Sequence, residues 1–173
     1  MGVFRREISF DIDEGAEGML AMTGTLRDTR LGEPLHVIVV RAEVSLADAR
    51  IHSLQGEMVH IPRDDCHHGL LTLERLVGER IVPGFTQLVR DVVGSPEGCS
   101  HLAVLVTNLG HASVQGRGAV LMSRMGGDEE ALRLVRRQAV ELGIMGSCYA
   151  WREDGPLMKG LRAEMERSRQ ADG

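Results

Sequence analysis

Apolar residues recur at every second position through the first sixty residues. In REISFDI, Ile8, Phe10 and Ile12 alternate with Glu7, Ser9 and Asp11, the pattern of a strand with one buried face. MLAMTGTLRDT keeps an extended style up to RLGEP, where Gly32 and Pro34 predict a turn. LHVIVVRAEVSL is the most β-branched run of the chain and predicts a central strand. ARIHSLQGEMVHIP predicts a further strand, with Gly56 at a bend or bulge and Pro62 at its end. No helical period interrupts these runs, so antiparallel hairpins are the economical pairing.

After Pro62 the period changes. GLLTLERLVG predicts a short helix closed by Gly78. PGFTQLVRDVVG sets Phe85, Leu88, Val89, Val92 and Val93 on one helical stripe, and SHLAVLVTNLGHASVQG does the same with Leu102, Leu105, Val106 and Leu109. GDEEALRLVRRQAVELG carries Asp128 as a cap, acidic residues in its first turn and Gly143 beyond its last. GPLMKGLRAEMERSRQ is a final amphipathic segment after Pro156, and SRMGGDEE is the expected loop. Strands first and helices afterwards predict an α+β fold, an N-terminal antiparallel sheet covered on one face by C-terminal helices. The 173 residues are expected to form one domain, with 1–62 mainly strands and 63–173 mainly helices.

Composition narrows the function classes. Aromatic residues are 3% of the chain and the net charge is -5. Neither suits nucleic-acid binding, which rests on stacking platforms and basic surfaces. MGVFRREISF lacks the apolar segment of a secretory signal, and no run approaches the ~18 apolar residues of a membrane span. The expectation is a cytoplasmic protein without nucleic-acid or membrane partners, interacting if at all with another protein or with copies of itself. In that compartment Cys66, Cys99 and Cys148 stay reduced, and an odd number of thiols suggests ligands, reactivity or packing.

Two stretches concentrate chemistry. GCSHL places Cys99 and His101 where a glycine-rich turn becomes a helix, with Ser100 the expected cap. Unpaired N–H groups at a helix start favour anionic charge, which suits a thiolate ligand. HIPRDDCHHG crowds His60, Asp64, Asp65, Cys66, His67 and His68 into what reads as a loop. Thiolate, imidazole and carboxylate are the donors of zinc and iron sites, although no C-x-x-C spacing occurs here. Cys148 follows a Gly–Ser turn. Convergence of Cys66, Cys99 and Cys148 with His101 would supply four donors to one tetrahedral site, with Asp65 or His67 as substitute ligands. Phosphate-loop, nucleophile-elbow and H-E-x-x-H signatures are absent.

VHIPRDDC, LERLVGERIVPGFTQLVRDVVG, GCSHL with Gln115 downstream, and SCYAWREDGPL resemble a bacterial family known as domain of unknown function 2889. RREISF and HVIVVRAEV resemble its N-terminal part, so the resemblance spans nearly the whole chain. The order of Cys66, Cys99 and Cys148 also resembles the iron–sulphur cluster scaffold proteins, which likewise run strands before helices. There the third cysteine follows a histidine, whereas Ser147 precedes Cys148. That likeness implies an iron–sulphur cluster, or zinc or iron alone, as cofactor. Two other readings stand beside metal binding. One is an assembly module with structural cysteines; the other is a thiol enzyme with Cys99 as nucleophile and His101 as base.

Overall fold

A computed structural model describes residues 2–16 and 18–171. The fold is α+β, with an N-terminal antiparallel sheet followed by helices. Strands β1 (Phe4–Glu14), β2 (Met19–Arg30), β3 (Glu33–Ser45) and β4 (Ile51–His60) pair in chain order. Period-two alternation places Leu20, Met22 and Leu26 of β2 and Ile38, Val40, Ala42 and Val44 of β3 on one buried face. Each of these side chains other than that of Ala42 contributes roughly 1.5–3 kcal/mol by leaving water.

The β2–β3 hairpin turns through two residues, Leu31 and Gly32, both with positive φ (53° and 92°). That geometry matches the twist of the flanking strands. The register then slips by one residue between Asp28 and Thr29, a bulge that matters to the site below. Gly56 is not a bulge, contrary to expectation. It pairs regularly with Val40, and the β3–β4 irregularities lie at Val37/Ile38 and Glu43/Val44. What Gly56 provides is room: a Cβ there would come within 2.6 Å of Leu70 and 2.8 Å of Leu73.

Those two leucines belong to Asp64–Leu76, which forms consecutive 3₁₀ turns, not the loop followed by a short helix that the sequence suggests. The Thr72 hydroxyl donates to the Gly69 carbonyl at 2.7 Å, reinforcing the three-residue spacing. Gly69 also lies against the residues before the long helix; a Cβ on it would sit 3.0 Å from the Cβ of Cys99. Helix α1 (Phe85–Val92) buries Phe85 and Val89. Helix α2 (Ser100–Arg124) is the longest element and covers the sheet's apolar face. Gly24 of β2 leaves space for both the Phe10 ring and Leu105 of α2, and Gly116 of α2 lies against Ile12 of β1.

The chain divides into two compact units, Met1–Val120 and Leu121–Gly173. The second holds α3 (Glu129–Glu141) and α4 (Pro156–Ala171). Asp128 caps α3 as its sequence predicts, accepting from the Ala131 N–H at 2.8 Å. Among the described residues its buried apolar side chains are Ala131, Met158 and Leu161. Among the described residues no helix is long and apolar enough to cross a membrane.

Candidate metal centre

Asp28 stands on β2 where the alternation Leu20, Met22, Leu26 calls for another apolar residue, and it is fully buried. An ionised carboxylate in that position needs partners, and sheet register supplies them. Arg6 of β1 and His36 of β3 are its directly paired neighbours, so the three residues form one row across three strands. The Arg6 guanidinium grips the carboxylate in a two-pronged fork, Nε to Oδ1 at 2.7 Å and Nη2 to Oδ2 at 2.8 Å. Nδ1 of His36 lies 3.1 Å from Oδ2. The bulge after Asp28 is what brings His36 into this register, because Thr29 already pairs with Pro34.

Helix α2 adds the fourth side chain. Its first intrahelical bond runs from the Ala103 N–H to the Cys99 carbonyl, so Cys99 occupies the cap position and Ser100 is the first helical residue. The expected cap at Ser100 is displaced by one because the Cys99 N–H is held by the Val93 carbonyl at 2.8 Å. His101, one residue into the helix, is thereby presented to the sheet. Its Nε2 is 3.8 Å from Asp28 Oδ2, its Nδ1 is 3.9 Å from Cys99 Sγ, and its ring stacks on His36 with centroids 3.9 Å apart.

Asp28, His36 and His101 each offer one ligand atom within 4.8 Å of the others; among the described residues they are the group of this kind. The Arg6 hydrogen bonds, opposed by burial, hold the Asp28 carboxyl below the usual carboxylate range. Burial, and then the charges of His36 and Arg6, push His101 down, against the pull of Asp28. The site therefore presents an anionic oxygen and an imidazole held neutral, the protonation states a metal ion requires.

The other residues singled out in the sequence are not members of this group. Cys66 is half-buried on the 3₁₀ segment, one turn before the Gly69 that touches Cys99. Asp65 and His67 are exposed on the same segment, and the Asp65 carboxylate is taken by Arg63 at 2.8 and 3.0 Å. Cys148 is exposed in the second unit. Of the expected ligand set, His101 belongs to the group gathered around Asp28, and Cys99 lies beside it, in contact with His101 Nδ1. Asp28 and His36 carry a signal in sequence after all, since each interrupts the apolar face of a strand.

A family model described as "Protein of unknown function (DUF2889)" matches residues 4–115. No curated protein and no solved structure matches the chain.

Proposed function

The chain belongs to the DUF2889 family, and we propose that it binds a divalent metal ion, zinc or ferrous iron, through Asp28, His36 and His101. The observation that carries this reading is the convergence of their three ligand atoms within 4.8 Å at the junction of sheet and helix. Two imidazoles and one carboxylate form a donor set common to zinc and to non-haem iron. A carboxylate has about four lone-pair sites. Arg6 uses one on each oxygen and His36 approaches a third, so an oxygen of Asp28 can still ligate. In this role Arg6 is the outer partner that orients a ligating carboxylate. Cys99, beside Nδ1 of His101, fixes that ring's tautomer or joins as a thiolate, adding negative charge that offsets Arg6. Two imidazoles and a carboxylate suit a single ion better than a cluster, which is held mainly by thiolates.

Elemental analysis of tag-free protein purified without oxygen tests this directly. Stoichiometric zinc or iron is expected, lost in Asp28→Asn and His36→Ala. Metal content in Cys66→Ser and Cys148→Ser decides whether either thiol completes the shell. Absence of metal, together with an unfolding temperature indifferent to added zinc and ferrous ion, overturns the reading.

A second reading rests on a different pair of distances. His101 bridges the Cys99 sulfur at 3.9 Å and the Asp28 carboxylate at 3.8 Å, the order of a nucleophile, a base and its orienting acid. Nδ1 of His101 would take the thiol proton while Asp28 steadies the imidazolium through Nε2. Under this reading His101→Gln slows alkylation of Cys99 at least tenfold in metal-free protein. Under the metal reading, added zinc protects Cys99 from alkylation, and the protection disappears in His36→Ala.

A further inference from the structure

The two edges of the sheet are finished differently. At the start of β4, Ile51 donates to the Glu79 carbonyl at 2.9 Å and accepts from the Gly78 N–H at 2.8 Å, so that edge is already engaged there. Its pairing with β3 is also irregular at two places. Strand β1, at the other edge, runs 11 residues without a proline, a glycine or a register shift. Long regular edges invite another strand, and proteins ordinarily blunt them.

The free backbone groups of β1 can be assigned. The Leu31 N–H donates to the Val3 carbonyl and the Gly15 N–H to the Met19 carbonyl, both at 3.0 Å. Antiparallel pairs alternate between bonded and unbonded, so the odd-numbered residues of β1 are those that bond to β2. Phe4, Arg6, Ile8, Phe10 and Ile12 therefore aim their N–H and C=O groups outward, and no described residue takes them. Their side chains belong to the sheet face that α2 covers, where Ile12 lies against Gly116. That row is left unfinished at the edge: Phe4 is 52% exposed, and Ile8, Phe10 and Ile12 are only half-buried. An inward charge can guard an edge, but the one on Arg6 is neutralised by Asp28.

We propose that β1 pairs with β1 of a second copy, antiparallel about a two-fold axis at Ile8, joining two four-stranded sheets edge to edge. Charge complementarity identifies the occupant. A two-fold axis perpendicular to the sheet keeps both α2 helices on one side, so even positions meet even and odd meet odd. About Ile8, Phe4 faces Ile12 and Arg6 faces Phe10 on the inner side, while Arg5 faces Asp11 on the outer side. No like charges stand opposite. Moving the axis to Glu7 sets that residue against itself, and moving it to Ser9 or Phe10 sets Glu7 against Asp11 or Asp13. Like charges directly opposite destabilise a strand pair, so the outer face selects the register. A strand complementary to itself suits an isologous contact. The pairing uses none of the proposed metal ligands and stands without them.

Sedimentation equilibrium of the full chain across a range of concentrations tests the proposal, and a monomer–dimer equilibrium is expected. Arg5 and Asp11 are exposed, so their charges can be reversed without touching the core. Arg5→Asp and Asp11→Arg each raise the dimer Kd roughly tenfold or more, and the double variant returns it close to the parent value. Amide exchange on the unaltered chain reads the edge itself: protection of the Phe4, Ile8 and Ile12 N–H groups rises with protein concentration. A chain monomeric at its highest soluble concentration overturns the proposal, as does a dimer indifferent to both charge reversals. Edge amides protected only when another protein is added also overturn it, by making the occupant a foreign strand. Where a reversal unfolds the chain, exchange decides alone, since edge amides that stay unprotected in the dimer exclude the pairing.

Discussion

His101 governs the pH behaviour of the site. Burial depresses its pKa below the ordinary 6.5, so the folded state binds its proton less readily than the unfolded chain does. Stability from this residue is complete above 6.5 and is lost as pH falls below that value toward the folded pKa. Asp28 has the same sign, because Arg6 holds its carboxyl below the ordinary 3.8, and its contribution disappears only in stronger acid. Denaturant titrations between pH 7.5 and 5 should therefore show stability falling in the parent chain and a flatter profile in His101→Gln. Equal slopes would mean that the His101 imidazole titrates freely in the fold. Leu31 offers a test of a different force. It holds φ at 53° in the hairpin turn while 65% exposed, so a left-handed strain is not repaid by burial. Leu31→Gly or Leu31→Asn relieves a strain of about 1–2 kcal/mol, and a net gain near 1 kcal/mol should appear as a raised unfolding midpoint. A lowered midpoint would indicate that the exposed leucine packs on its neighbours.

At the scale of elements, Gly110 sets propensity against packing. In an isolated helix alanine would stabilise α2 by about 1 kcal/mol at this position. Here its Cβ would meet the Phe85 ring of α1 at 2.7 and 2.8 Å, and Phe85 is buried with little freedom to yield. Overpacking of this kind costs typically about 1–3 kcal/mol, so Gly110→Ala should lower stability in urea titrations despite the better helix former. The same tension explains what was legible beforehand. The order of strands and helices is written in the switch of period after Pro62, because each element must bury a continuous face. Asp64–Leu76 escaped because its 3₁₀ turns follow from contacts remote in sequence, with Gly56 on one side and Cys99 on the other. Arg6, Asp28 and His36 escaped for a related reason. Their meeting depends on a two-residue turn and a one-residue bulge, and a slip of one position would send Asp28 to the opposite face.

For the whole molecule, all residues of the proposed metal centre, from Arg6 to His101, fall in the unit Met1–Val120, and the family match at 4–115 falls inside it too. Some 120 residues lie well within the size of autonomously folding domains. Removal of everything after α2 should therefore leave a chain, residues 1–124, that unfolds cooperatively. Its unfolding temperature is a poor test by itself, because deleting α3 and α4 can alter stability by many routes. The metal-linked increment is sharper. Binding to the folded state alone adds RT ln(1 + [L]/Kd), about 2.7 kcal/mol at a hundredfold excess over Kd, whatever the starting stability. If the ligand shell lies wholly in the first unit, zinc should stabilise the 1–124 chain and the full chain by the same free energy. An increment that vanishes on truncation, in a chain still folded by circular dichroism, would instead require a ligand from beyond Arg124, and Cys148 is the thiol there.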